Sequence, residues 1–265
     1  MINLFIDWFI KFFAYFNDNG YVSTYSDGLG EGEYGWRHLV WIGLVICFGI
    51  VGFIYFQKHP KTEKKVVLTL VISLFLVRFS HQTIRAIIGA EVPWTRAFPF
   101  HMCTVLTFLL PLTIIFQWNK IKTPVYVLSI MGGVITLLIG DYFSDKFMTF
   151  STLEGMSAHT ILILVPIFEV ASKRFSLDIK NAWQVIVGIL VLMIWATIAN
   201  EVFFVNYDPN YMYLKENALP FGDEKTFFIY YVIIFFVMLS SIYGFPRLKS
   251  YLCQKTKRHE IKEIS

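Results

Sequence analysis

Of 265 residues, 56% are hydrophobic and 16% charged, with 27 Phe, 14 Tyr and 7 Trp, whereas soluble domains carry roughly a quarter charged residues. That balance excludes an ordinary soluble domain, because several apolar runs approach the ~20 residues that cross a ~30 Å hydrocarbon layer. The net charge of +4 is small and follows the alternation of basic residues between connections, which reads as membrane orientation and gives no support for nucleic-acid binding.

The opening stretch 1–16, MINLFIDWFIKFFAYF, is too short to span and lacks the basic start and small-residue cleavage site of a secretory signal. Its Trp8, Phe9, Phe12, Phe13 and Phe16, with Asp7 and Lys11 interspersed, predict an amphipathic helix lying in the interface. Residues 17–35, rich in Gly, Asp, Tyr and Ser, read as a polar linker. A transmembrane bundle then occupies 36–245, with spans predicted at 36–56, 66–89, 100–118, 124–140, 158–171, 183–205 and 226–245, and a basic tail at 246–265. The predicted fold class is an all-α polytopic membrane protein of six to seven transmembrane helices. The fourth and fifth spans are short, which leaves room for 141–157, with Phe143, Phe147 and Phe150, to re-enter the membrane edge and prolong one of them.

Fifteen basic residues fall on one side: Lys58, Lys61, Lys64 and Lys65, Lys120 and Lys122, Lys173, Arg174 and Lys180, and six in the tail. Six fall on the other: Lys11, Arg37, Arg96, Lys146, Lys215 and Lys225. The positive-inside rule therefore predicts an N-terminus outside and a C-terminus in the cytoplasm.

Ionisable groups inside a span cost roughly 2.5–3.5 kcal/mol each on insertion scales, so each needs a partner or a purpose. The second span carries Arg78, His81, Gln82 and Arg85 on one helical stripe, which must face the bundle interior. With the predicted orientation, Arg37 and His38 open the first span outside, and His101 and Cys103 open the third. Asp141 ends the fourth, His159 begins the fifth, and Asn200 and Glu201 approach the outer end of the sixth. These candidates all lie in the outer half. The cytoplasmic half is expected to contribute little beyond Glu169, read as an i,i+4 partner of Lys173. Polar residues in bundles also serve only to fix helix packing, but two arginines in one stripe exceed that need.

Cys47 sits mid-span as a small apolar residue, and Cys253 lies in the basic tail, free or palmitoylated. Neither reaches Cys103 across the membrane, which leaves an unpaired thiol on the outer side, a candidate nucleophile or a packing cysteine. In RAFPFHMCTV, Pro99 places Cys103 close to a helix N-terminus, where the dipole favours thiolate. His101, two residues away, points to another helix face, so a histidine from another span is the better base, and His159 matches the depth of Cys103. Arg78 and Arg85 suit a phosphate, a carboxylate or an ester carbonyl, and His38 and His81 suit hydrogen bonding to an arginine or a ligand. A metal site built from His38, His81, His101 and His159 ranks low, since no close ligand spacing is present and the arginines repel a cation. The outer segment 206–225, with Asp208-Pro209 and Tyr207, Tyr211 and Tyr213, reads as either a lid over this cluster or an interfacial connector.

Four features taken together, His38, FPFHMC at 98–103, His159, and Asn200 followed by NYMYL at 210–214, resemble the YwaF-like integral membrane family, which includes animal transmembrane protein 164. The resemblance covers roughly 36–245 and extends in architecture to the androgen-induced-1 type intramembrane enzymes. It implies a Cys-dependent acyltransferase acting on phospholipids without a cofactor, with Cys103 as nucleophile and His159 as its partner. Asn200, Asn210 and Tyr211 would support the site. The lipids themselves would be donor and acceptor, in what the resemblance implies is a bacterial plasma membrane with the site toward the outer leaflet. The androgen-induced-1 enzymes use Thr as nucleophile, so Cys103 favours transfer over lipid-ester hydrolysis. A different class, an anion transporter or binding protein using the arginine stripe, is disfavoured by the scarcity of polar groups toward the cytoplasmic face and the lack of an inverted repeat.

Overall fold

The computed structural model describes residues 6, 12, 35–87, 99–139, 150–207, 209–217, 223 and 225–244. The predicted interfacial helix 1–16, the linker 17–35 and the tail 246–265 lie outside that set apart from Ile6, Phe12 and Gly35. Ile6 and Phe12 are helical, and the Phe12 ring rests on Phe150 with centroids 6.1 Å apart.

Seven helices and no strand are found among the described residues. They are α1 Trp36–Lys58, α2 Pro60–Ile87, α3 Met102–Ile115, α4 Lys122–Ile139, α5 Phe150–Ala171, α6 Ala182–Ile198 and α7 Phe227–Gly244. By length and composition four are able to cross a membrane: α1, α5, α6 with its flanking turns, and α7. The shorter α3 and α4 are apolar as well.

Several boundaries differ from the sequence expectation for local reasons. α2 starts at Pro60, before the predicted 66, because proline suits the first helical position and Glu63 in the first turn complements the dipole. Only His59 then separates α1 from α2. α3 stops at Ile115, short of 118, with Gln117 in the left-handed region at φ 54°. α5 begins at Phe150, so 150–157 prolong the fifth span and bring Glu154 inside it. Residues 140–149, Asp141 among them, lie outside the described residues. α6 runs on through a π turn, Ala199–Phe203. Asp223 precedes α7, where bonds from Thr226 side chain and backbone, and from Lys225 N, hold its carboxyl below the usual carboxylate range.

α4 and α5 form the centre. Both meet α3, and α5 also packs against α1 and α2. Their close approach depends on Gly133, where a Cβ would stand 2.7 Å from Ile163 Cγ1 and 2.9 Å from the His159 carbonyl oxygen. Around this centre, Leu39, Phe48, Val51, Val187, Ile194, Ile229 and Val237 turn outward, as expected when the solvent is lipid.

The lysine-rich end holds an ion-pair cluster where the sequence predicted little. Glu63 is fully buried and accepts from Arg174 Nη1 at 3.0 Å. Glu169, also buried, pairs with Lys122 Nζ at 2.5 Å and lies 4.0 Å from Arg174 Nη2. The expected Glu169–Lys173 pair is thereby corrected. α5 ends at Ala171 and Lys173 takes a left-handed conformation at φ 63°, which breaks the helical i,i+4 geometry. Lys122 Nζ also lies 5.2 Å from the Tyr126 ring centroid.

Candidate active site

At the opposite end of the bundle α3, α4 and α5 converge on one sulfur. His101 is the N-cap of α3, so Cys103 is its second helical residue. The amide groups of the first turn have no carbonyl within the helix to pair with. The half-buried Cys103 side chain hydrogen-bonds the imidazole of His159 on α5. Its sulfur also lies 3.8 Å from Thr136 Oγ1 on α4.

His159 is buried, and its Nδ1 is 2.7 Å from the Gly155 carbonyl oxygen one turn earlier. A carbonyl only accepts, so Nδ1 carries the proton and Nε2 is left as the lone-pair nitrogen available to the thiol. The backbone of α5 thus selects the tautomer that a base requires.

The Arg78 guanidinium donates from Nη1 to both oxygens of buried Glu154, each at 2.9 Å. Glu154 was not among the sequence candidates, because the fifth span was predicted to start after it. An arginine at mid-span, even half-buried as Arg78 is, demands an acid from a neighbouring helix, and that demand was a usable signal. Of the other arginine-stripe members, His81 and Arg85 belong to α2, but their side chains lie outside the described residues.

The segment after α6 folds over the start of α3. Buried Asn200, within the π turn, accepts from Tyr211 N at 2.9 Å and donates to Tyr211 O at 3.2 Å. Asn210 Oδ1 accepts from the amides of Lys215 and Glu216, and its Nδ2 donates to the Glu216 carbonyl. Between these anchors Met212 and Tyr213 take φ values of 56° and 55°, a left-handed pair unusual for residues with a Cβ. Met212 N donates to His101 Nδ1 at 3.3 Å, and the Tyr211 ring meets Phe100 at a tilt and His101 edge-on, with centroids 5.1 and 5.2 Å away. Asn200, Asn210, Tyr211 and His101 therefore form one folded cap, two residues from Cys103. Replacing Asn200 by alanine is expected to strand the Tyr211 amide and carbonyl and to accelerate limited proteolysis within 206–217 by roughly tenfold or more. The α-helical circular dichroism should stay unchanged.

The remaining candidates are not among the thiol's own hydrogen-bond partners. His38 is fully buried at the α1–α4 seam with Nε2 2.6 Å from the Leu137 carbonyl oxygen. Glu201 is exposed and pairs with Lys215 at 3.5 Å. Among the described residues no three His, Cys, Asp or Glu side chains converge as a metal site would require. An apolar cleft of about 490 Å³ runs between α1, α4 and α5, beside Gly49, Val134, Leu137 and Ile163. Val134 and Leu137 lie on a different side of α4 from Gly132 and Thr136, so this cleft is not the thiol's own pocket.

No curated protein and no solved structure matches the chain. The sequence profile of the TMEM164 family matches residues 33–244, a range that takes in all seven helices. On that match, together with its apolar helices, the chain is an integral membrane protein and belongs to the TMEM164 family.

Proposed function

We propose that the protein is an intramembrane acyltransferase that moves a fatty acyl chain from a phospholipid or related donor to a lysolipid-type acceptor through a thioester on Cys103. The observation that carries this reading is the Cys103–His159 contact, with His159 Nδ1 occupied by the Gly155 carbonyl.

The steps balance on these two side chains. Cys103 gives its proton to His159 Nε2 and attacks the ester carbonyl carbon. The tetrahedral adduct collapses, and the departing lysolipid oxygen takes the proton back from His159. An acceptor hydroxyl then loses its proton to His159 and attacks the thioester, and Cys103 leaves and recovers the proton. The first-turn amides of α3, which have no carbonyl within the helix to pair with, would serve as donors for the developing oxyanion. Arg78, held by Glu154, and Arg85 and His81 farther along α2 would meet the lipid's phosphate or carbonyl. The cap from Asn200 to Tyr213 would limit water, so that transfer outpaces hydrolysis. The basic residues at the other end of the bundle orient this site toward the outer leaflet by the positive-inside rule, and no cofactor is required by the scheme.

The test is a trapped intermediate. Purified protein is incubated with an alkyne-tagged phospholipid, and Cys103 is examined by mass spectrometry for a hydroxylamine-sensitive acyl group. An adduct that accumulates without acceptor and is discharged into a new acyl-lipid on adding lysolipid supports transfer. Discharge only to free fatty acid favours the hydrolase reading. No adduct in wild type, or an undiminished yield of new acyl-lipid in Cys103→Ala, removes the mechanism.

A further inference from the structure

Thr69, Thr83, Thr160 and Thr197 each donate the hydroxyl to the carbonyl four residues back in their own helix, the usual outlet for a hydroxyl on a helix. Thr136 departs from that pattern. Its Oγ1 faces Cys103 Sγ at 3.8 Å, and among the described residues it has no bond to its own helix. Gly132, one turn earlier on the same side of α4, makes the approach possible. A Cβ there would come within 2.8 Å of Met102 Cε and 3.2 Å of the sulfur. Together Gly132 and Thr136 form a notch on α4 that seats the thiol, while His159 meets it from α5.

This arrangement has a chemical consequence once Cys103 has passed its proton to His159. The sulfur is then an anion in largely apolar surroundings, where an unsolvated charge is costly. A threonine hydroxyl rotates freely and supplies a proton donor. We propose that Thr136 is a positioning residue that donates its hydroxyl to the Cys103 thiolate and fixes the sulfur for attack. The inference rests on the reading of Cys103 as the nucleophile, and it extends the dyad to three groups from three helices.

The test uses the full chain in detergent with Cys47→Ser and Cys253→Ser, so that only Cys103 reacts, and follows alkylation by uncharged iodoacetamide from pH 5 to 10. A single hydrogen bond to a charged group is worth enough to change the thiolate population about tenfold. Thr136→Val, close in shape but without the hydroxyl, should alkylate about tenfold more slowly at neutral pH. It should reach the same plateau about one pH unit higher. Thr136→Ser should restore the wild-type profile within about twofold, which a purely packing role would not predict. Thermal melting verifies folding, and Thr136→Ala serves as the hydroxyl-free variant if valine prevents it. An unmoved profile in the hydroxyl-free variant, or a serine variant that behaves like it, overturns the proposal. Because no lipid enters this measurement, absence of an acyl adduct on Cys103 would overturn the acyltransfer reading without deciding the role of Thr136.

Discussion

Replacing His159 with alanine is expected to slow acyl transfer by about 10³-fold, in the middle of the range for loss of a positioned general base. The expectation follows from the tautomer. With Nδ1 bonded to the Gly155 carbonyl at 2.7 Å, only Nε2 faces the thiol, and among the described residues no second histidine has comparable geometry. His101 is engaged by the Met212 amide and His38 lies against Leu137 on α4. Single-turnover formation of the Cys103 thioester is the measurement to choose, because steady-state rates in detergent mix chemistry with lipid exchange. His159→Ala should form the thioester slowly while retaining its helical content and melting temperature to within a few degrees. His159→Gln is the sharper control, since it keeps a polar side chain but provides no base. A rate within a few-fold of wild type for both variants would remove His159 from the mechanism and leave the contact as packing.

The legible part of this protein was periodic or charged. Apolar runs near membrane length located the helices, and the lone thiol after Pro99 pointed to the start of α3. The depth of His159 then matched that of Cys103 once an orientation was assumed, and the two side chains meet in the structure. Less visible were partners whose roles depend on which helices adjoin. Glu154 belonged to a stretch read as a connection, since its neighbours Ser151, Thr152, Gly155 and Ser157 are too polar to register as a span. Thr136 looks like any threonine in an apolar helix, and only the third dimension shows its hydroxyl facing a sulfur. Gly132 and Gly133 were the available hint, because paired glycines within a helix commonly mark a close approach by a neighbour. Asn200 drew notice by its depth in the sixth span and Tyr211 by its place in the outer loop, and the family resemblance added a supporting role for both. Their reciprocal backbone bonds are now seen to shape the cap, a role that no spacing rule would have given.

The second large effect concerns the opposite end of the bundle. Arg174→Ala is expected to destabilise the protein by about 3 kcal/mol, the lower end of the cost of breaking a buried pair by removing one partner, because Arg174 keeps 27% of its side chain exposed. Glu63 is fully buried and receives its ion-pair hydrogen bond from Arg174 Nη1 at 3.0 Å. Glu169 would keep Lys122, so the loss falls chiefly on Glu63. The exposed Lys215–Glu201 pair is the internal contrast. Glu201 is 56% exposed, so Lys215→Ala should change stability by no more than about 1 kcal/mol. Unfolding in mixed micelles, followed by loss of helical signal, compares the two directly. Adding Glu63→Gln to Arg174→Ala removes the stranded charge as well as its partner and should recover part of the loss, since it is the unpaired carboxylate that costs most. If Arg174→Ala proved as mild as Lys215→Ala, the cluster would be solvated like the surface pair and could not act as the tie between α2 and the end of α5. If the double variant were no better than the single one, the cost would come from lost packing of the arginine stem. With the expected pattern, the two ends of the bundle have separate tasks. Buried ion pairs hold α2, α4 and α5 together at the lysine-rich end, which leaves the thiol end free to combine a left-handed cap with a half-buried reactive group.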